Sequence, residues 1–302
     1  MIDKKQLSEQ DIRTKFITPA IKNAGWNEMT QLREEVYFTA GRIEVQGKIV
    51  KRGEAKKADY ILYHKHNFPI AVIEAKDNKH SISSGIQQAQ DYAELLDIPF
   101  AYSSNGDGFL EHDFFTGKER KLSLEELPSP AELFERYKKA KGIDQEIEKV
   151  INTPYYSDGS GKTPRYYQEV AINRTIEAVA KGQKRIMTVM ATGTGKTMVA
   201  GQIIWRLWKS RKAKRILFLA DRNILVDQTM VNDFKHFGDK MIKIQRGKIS
   251  KAHEIYLGLY QSLTSNDEER NAYKEFSPDF FDLIIIDECH RGSAKEDSAW
   301  RE

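Results

Sequence analysis

Apolar positions along this chain alternate between two periods, and the switches outline its elements. From Glu9 to Ala24, Ile12, Phe16, Ile17, Ala20 and Ile21 recur at helical spacing behind Ser8 as N-cap, and Gly25 supplies the stop. Arg33 to Phe38 and Arg42 to Val45 read as strands about an Ala40-Gly41 turn, and the basic segment Lys48 to Lys57 reads as a solvated loop. Ala58 to Tyr63 and Ile70 to Lys76 are two further strands separated by the turn-like HKHNFP. A helix follows over Ser84 to Leu96, then a strand at Ile98 to Ser103 and an edge strand at Phe109 to Phe115. His64, His66, His112 and Asp113 read as surface residues, since no partner His stands at metal spacing.

Pro128-Ser129-Pro130 interrupts the pattern. Ala131 to Val150 reads as one charged amphipathic helix, and Asn152 to Pro164 as a surface connector rich in Pro, Gly, Ser and Asp. Beyond it the pattern changes to short apolar strands alternating with helices. A helix from Arg165 to about Ala180 precedes strands at Arg185 to Val189, Arg215 to Ala220, Ile255 to Leu263 and Phe281 to Ile286. Helices fall at Met198 to Trp208 and Leu225 to Phe234. Strand–helix alternation of this kind predicts a parallel sheet. The expected fold class is therefore α/β: a mixed-sheet domain over 1–127, a helix and linker over 128–163, and a parallel-sheet domain over 164–302.

The chemistry concentrates in two places. Met190 to Thr197 reads MATGTGKT between a strand and a helix, the setting of a phosphate-binding loop. Gly193 and Gly195 can take positive φ, so that the backbone N–H groups of Thr192 to Gly195 turn inward around a phosphate. Lys196 adds a cation near the β/γ-phosphates, and Thr197 offers a hydroxyl to Mg²⁺. The first glycine of the full pattern is replaced by Met190, and a glycine-rich turn without a ligand would also suit these residues. Downstream, the apolar run FDLIII delivers Asp287 and Glu288 to a strand end. There Asp287 can hold Mg²⁺ and Glu288 can orient and deprotonate an attacking water. The second run GSGKT at Gly159 to Thr163 follows no strand and precedes Pro164, so it is not read as a phosphate loop.

The other place is the strand pair. Glu74 and Lys76 lie two apart and so share a face; if the strands form a hairpin, Asp59 meets Glu74. Two carboxylates that close need a bridging cation, and a hard, oxygen-ligated ion such as Mg²⁺ suits them. Three ordinary charges at strand ends would give the same letters. Gln88 and Tyr92 then share one face of the following helix.

Composition narrows the classes. The 302 residues suffice for two domains; 40% are hydrophobic and 30% charged, and no run of 18 apolar residues exists to cross a membrane. The start lacks the apolar core of a signal peptide, so a cytoplasmic protein is expected. Cys289 is the only cysteine, which excludes an internal disulfide and a cysteine-based zinc site. A net charge of +4 permits a nucleic-acid partner without requiring one.

The series Asp59, Glu74-Ala-Lys76, Gln88 and Tyr92 resembles the PD-(D/E)xK nucleases of the RecB-like branch over about the first 110 residues. That resemblance implies a restriction-endonuclease-like sheet, with Gln88 and Tyr92 beside the metal centre and DNA; Ala58-Asp59 stands for the family's Pro-Asp. Some relatives add a carboxylate from the first helix, for which Glu9 is a candidate. MATGTGKT with DECH resembles a superfamily 2 motor, whose usual alanine accounts for the loop's first position. This implies a RecA-like P-loop domain binding ATP and Mg²⁺, with Gln168 reading adenine, Arg222 and Tyr260 to Ser262 touching a nucleic-acid strand, and His290 coupling the two sides.

In that order, the two domains resemble the R subunit of type I restriction–modification enzymes. The resemblance implies ATP-driven translocation and cleavage of double-stranded DNA. It also implies partner modification (methyltransferase) and specificity subunits, S-adenosylmethionine being bound by the former. A stand-alone DNA-repair helicase–nuclease and a nucleotide-gated nucleic-acid-binding module remain alternatives. The resemblance implies a second RecA-like domain, and with it the arginine finger, expected beyond Glu302. These 302 residues are then expected to bind ATP weakly and not to translocate.

Overall fold

The computed structural model describes residues 3–39, 43–46, 49–52, 55–161, 163–220, 234–244, 250–259 and 275–288. Packing divides the chain into two units, one of residues 1–148 and 164–170, the other of 149–163 and 171–302. The chain thus enters the second unit, returns to the first for seven residues, and leaves it again.

The first unit opens with α1 (Glu9–Ile12) and α2 (Thr18–Asn23), joined through a π-helical turn over Arg13–Ile17. Ser8 starts the run with a reciprocal capping box: its hydroxyl accepts from the Asp11 N–H, and the Asp11 carboxylate accepts from the Ser8 N–H. Ile12, Ile17 and Ile21 face inward and are fully buried. Strands β1 (Leu32–Thr39), β2 (Ile43–Gln46), β3 (Ile49–Arg52), β4 (Ala55–Lys65), β5 (Phe68–Ala75), β6 (Phe100–Ser104), β7 (Phe109–Asp113) and β8 (Lys118–Leu122) follow.

Six of them form one sheet in the order β1-β4-β5-β6-β7-β8, while β2 and β3 pair separately. Only β5 and β6 run parallel, the rest antiparallel, so the sheet is mixed. Two parallel neighbours need a crossover, which α3 (Ile86–Leu96) supplies. Its Ala89, Tyr92, Ala93 and Leu96 pack on Ile61, Tyr63, Val72 and Ala101.

Four expectations are corrected here. The basic segment Lys48–Lys57 contributes β3 and the start of β4 instead of a loop. Strand β7 is not the sheet edge, because β8 pairs outside it, and its Asp113, expected at the surface, is buried with its carboxylate on Arg136 of a later helix. His64 is not a surface residue: its ring stacks on Phe134 at 3.5 Å. The single helix expected over Ala131 to Val150 is two, α4 (Pro130–Lys141) and α5 (Gln145–Ile151), because Gly142 takes φ +63° and ends the first.

In the second unit, β9 (Ile216–Ala220), β10 (Met241–Lys243), β11 (Ile255–Leu259) and β12 (Leu283–Ile286) form a wholly parallel sheet ordered β10-β11-β9-β12. Tyr256, Phe276 and Phe280 pack with Leu217, Leu219 and Ile244 on one face. Helix α6 (Tyr166–Ala180) begins in the first unit and continues into the second, and α7 (Lys196–Lys209) follows the glycine turn. The strand expected at Arg185–Val189 does not form. Residues 183–190 have no regular structure, Met187 and Val189 are exposed, and among the described residues β12 is the outermost strand of its sheet. A short apolar run becomes a strand only where a neighbouring strand completes its ladder.

The described residues of the connector expected at Asn152 to Pro164 lack regular structure, yet they are fastened. The Arg206 side chain, 2% exposed, donates to the carbonyls of Ile151 at 2.6 Å and Thr153 at 2.9 Å and to Asn173 Oδ1 at 2.8 Å. One turn earlier on α7, Gln202 accepts from the Tyr156 N–H at 2.9 Å and donates to its carbonyl at 3.0 Å. Among the described residues, no helix is long and apolar enough to cross a membrane.

Candidate functional sites

The hairpin of β4 and β5 sets Tyr60 opposite Ile73, which brings Asp59 and Glu74 together at the next position. The Asp59 N–H donates to Glu74 Oε1 at 3.3 Å, and the Ala75 N–H donates to Asp59 Oδ2 at 2.8 Å. Both side chains are buried, Glu74 to 1% exposure. Burial, then the Asp59 charge beside it, pushes the Glu74 carboxyl up to about 8. Lys76 Nζ donates to Gln88 Oε1 at 3.2 Å, and Gln88 Nε2 donates to the Tyr92 hydroxyl at 3.0 Å. The Tyr92 ring meets Phe38 edge-on at 5.0 Å and lies beneath Lys56 Nζ at 5.8 Å. Two hydrogen-bonded sets result, Asp59 with Glu74 and Lys76 with Gln88 and Tyr92, and the Lys76 charge acts on the Glu74 carboxyl between them. Glu9, exposed at the start of α1, feels the same field: partial desolvation first and Asp59 second raise its carboxyl, which Lys76 and Arg13 oppose.

The donors suit Mg²⁺. Two adjacent carboxylates offer only oxygen, the donor type a hard divalent ion takes. No group of three His, Cys, Asp or Glu side chains is assembled among the described residues. Mg²⁺ commonly binds through one or two carboxylates and keeps its waters.

Sequence reading missed three parts of this group. Arg13 is 4% exposed and reaches Asp59 from the helix side; its sequence trace is only its place one turn after Glu9. Ala75 contributes a backbone N–H, which no side-chain motif reports. Gly85, just before α3, lies so close that a Cβ there would stand 3.3 Å from the Cβ atoms of Glu74 and Ser103 and 3.5 Å from Lys76 Cε.

The second site lies at the C-terminal end of the parallel strands, where open α/β sheets bind ligands. Gly193 takes φ +76° and Gly195 φ +84°, and the latter is the N-cap of α7. Thr194 closes the turn, its hydroxyl donating to the Ala191 carbonyl at 2.6 Å. Thr192 stands in the turn, and Lys196 and Thr197 open the helix, whose free N–H groups favour an anion. Strand β12 carries Asp287 and Glu288 to the same end, and the Asp287 N–H donates to the Leu219 carbonyl at 2.9 Å. Lys196 Nζ and Glu288 Oε1 are 2.5 Å apart. Burial, then Glu288, raises the Asp287 carboxyl, which Lys196 lowers. Glu288 itself takes φ +54°.

Gln168 belongs by packing to the first unit. It is buried, and its Oε1 accepts from the Arg165 N–H at 2.8 Å, fastening the start of α6. Arg222, Tyr260 to Ser262, Cys289 and His290 lie outside the described residues.

Known proteins align with both units. Residues 28–129 match the family described as type I restriction enzyme R protein N terminus, and residues 161–302 match type III restriction enzyme, res subunit. The type I restriction enzyme EcoAI endonuclease subunit of Escherichia coli is 57% identical over 300 residues, covering 98% of this chain and 37% of that protein. The EcoKI endonuclease subunit of Escherichia coli strain K12 is 27% identical over 352 residues, covering 95% of this chain and 29% of the relative. A solved fragment named as an HsdR subunit of a type I restriction enzyme from Vibrio vulnificus YJ016 superposes with a TM-score of 0.79 at 44% identity. That match covers 94% of this chain and 52% of the solved one. The chain therefore spans about a third of the length of these curated relatives.

Proposed function

Because this chain belongs with the R (endonuclease) subunits of type I restriction enzymes, as their N-terminal part, we propose that its two units divide cleavage and fuel between them. The mixed-sheet unit, centred on the 1–127 region, is a PD-(D/E)xK nuclease. The parallel-sheet unit, centred on 164–302, is the first RecA-like domain of a motor. The observation that carries this reading is the Asp59–Glu74 pair with the Lys76–Gln88–Tyr92 chain in one unit, and the Lys196–Glu288 pair at a glycine turn in the other.

In the nuclease, Asp59 and Glu74 hold Mg²⁺, which when bound activates water and stabilises charge on a scissile phosphate. The Ala75 N–H fixes one oxygen of Asp59, so the carboxylate is oriented before DNA arrives. Gln88, itself held by Tyr92, sets the reach of Lys76, whose ammonium orients water or offsets charge on the phosphate. In the motor, the amides of Thr192 to Gly195 and the N-terminus of α7 bind the phosphates of ATP. Lys196 pairs with their outer oxygens, Thr197 and Asp287 hold the accompanying Mg²⁺, and Glu288 takes the proton of the attacking water. Double-stranded DNA is the substrate, and modification and specificity subunits are the partners, with S-adenosylmethionine bound by the modification subunit.

The test is Glu74→Ala in the full-length protein assembled with its partner subunits. Mg²⁺-dependent DNA cleavage should disappear while ATP hydrolysis persists. Cleavage that survives the substitution removes the nuclease assignment.

A further inference from the structure

A buried cation stands unusually close to the proposed metal-binding carboxylate. The Arg13 guanidinium packs over the Tyr60 ring at 5.0 Å from its centroid, and its Nη1 lies 3.6 Å from Asp59 Oδ1. Nη2 is 3.5 Å from the Asp59 carbonyl oxygen and 3.8 Å from Glu34 Oε2. The short contact is with neither. Nη1 meets Glu35 Oε1 at 3.0 Å, and Lys57 Nζ meets that same oxygen at 3.0 Å.

Glu35 is also where the backbone departs from a strand. The β1–β4 ladder sets Glu34 opposite Tyr60 and Val36 opposite Ala58, and skips the pair between them, Glu35 with Asp59. Glu35 takes φ +52°, a left-handed conformation that side chains with a Cβ rarely adopt and that costs about 1–3 kcal/mol. A strand residue strained directly opposite a candidate metal ligand, with its carboxylate on the arginine beside that ligand, is an arrangement that plain sheet pairing would not produce.

We infer that Glu35 is a positioning residue that draws the Arg13 guanidinium toward itself and so keeps Asp59 Oδ1 available to a divalent cation. Arg13 has three carboxylates within reach, Glu34 at 3.8 Å, Asp59 at 3.6 Å and Glu35 at 3.0 Å, and the closest one holds it. Were Glu35 neutral, Arg13 would close the remaining gap to Asp59, pair with Oδ1, and compete with the metal for that oxygen. Arg13 thus supports the buried carboxylates while Glu35 prevents it from occupying them. The inference rests on the Mg²⁺-site reading of Asp59 and Glu74.

The test measures Mn²⁺ binding to the whole chain by calorimetry, with Glu74→Ala as the control. Glu35→Gln preserves shape and removes charge, and should weaken Mn²⁺ binding about tenfold, the scale on which residues behind metal ligands act. Glu35→Gly, which also relieves the positive φ, should weaken it similarly while the melting temperature holds or rises. Adding Arg13→Gln to Glu35→Gln should restore affinity, because no guanidinium is left to compete; a merely structural Glu35 would make the double variant no better than the single one. Unchanged Mn²⁺ affinity in Glu35→Gln and Glu35→Gly overturns the inference even if the double variant fails to fold. Mn²⁺ binding indifferent to Glu74→Ala overturns the metal-site reading beneath it.

Discussion

Lys196 and Glu288, 92 residues apart in sequence, are joined by a 2.5 Å ion pair between the first residue of α7 and the acid just beyond β12. A phosphate entering the glycine turn must draw Lys196 from this partner, so nucleotide binding and release of the proposed base are one event. Glu288→Gln weakens the pair and leaves Lys196 freer. ATP should then bind as tightly or more tightly, while hydrolysis falls by about a hundredfold or more, the range of a lost general base. Binding of a fluorescent ATP analogue and phosphate release, measured on the full-length protein, separate the two effects. Undiminished hydrolysis would remove Glu288 from the chemistry.

Glu169 gives the first unit a pH-dependent stability. Burial raises its carboxyl to about 7, against an opposing pull from Arg33. The folded chain keeps this proton up to about pH 7, whereas the unfolded chain releases it near the model-peptide value of 4.5. Its contribution is therefore complete below pH 4.5 and lost as pH rises through 7. The shift corresponds to about 3 kcal/mol. Urea unfolding at pH 5 and pH 8 should show this loss, and Glu169→Gln should flatten it.

Gly85 sets how closely the start of α3 approaches the proposed catalytic strand. Its substitution by alanine presses a methyl group against the Cβ atoms of Glu74 and Ser103, both on central strands that have no room to retreat. Gly85→Ala should cost about 1–3 kcal/mol of stability, as overpacking does. It should reduce Mg²⁺-dependent cleavage more than any comparably destabilising substitution remote from Glu74. Equal losses in the two kinds of variant, compared by cleavage rate and melting temperature, would make Gly85 a packing residue only.

Glu111 anchors the far side of the sheet. Its carboxylate, 1% exposed, accepts from the Tyr102 hydroxyl at 2.5 Å, from Arg120 at 2.7 and 3.2 Å, and from Arg136 at 2.8 and 3.0 Å. These hydrogen bonds outweigh burial and hold its carboxyl down at about 2. Glu111→Ala strands the buried Tyr102 hydroxyl and leaves the half-buried Arg136 with Asp113 as its remaining partner. It should destabilise the unit by about 3–5 kcal/mol in urea titrations, and a loss below 1 kcal/mol would show the network to be dispensable.

What the sequence disclosed followed local rules. Glu74 and Lys76 were legible as neighbours because a strand repeats every two residues, Asp59 because a hairpin sets it opposite Glu74, and Gln88 and Tyr92 because a helix repeats near four. The positive φ of Gly193 and Gly195 was legible because glycine alone takes it without strain. Glu111 was not, since its partners come from the strand before it, the strand after it and a later helix, and nothing in the local pattern pairs them. The missing strand at Arg185–Val189 failed for the converse reason: its letters suit a strand, but its state depends on a neighbour. Gly142 divides a helix that periodicity alone runs together. Arg13 and Glu35 came into view only when two elements met across Asp59.

Residues 149–163 pack with the second unit and residues 164–170 with the first, so the chain crosses between them three times. Heredity inherits a constraint from that interlacing. A single recombination point between two related genes can fall before 149, between 163 and 164, or after 170, and each choice leaves some residue packed against a neighbour of foreign descent. A crossover at 163/164 would join the Ile151 and Thr153 carbonyls of one parent to the Arg206 of the other. One at 148/149 or 170/171 instead separates residues 164–170, or the 149–163 connector, from the unit that packs them. Exchange of the two units between relatives is therefore workable only where the junction residues on both sides already agree.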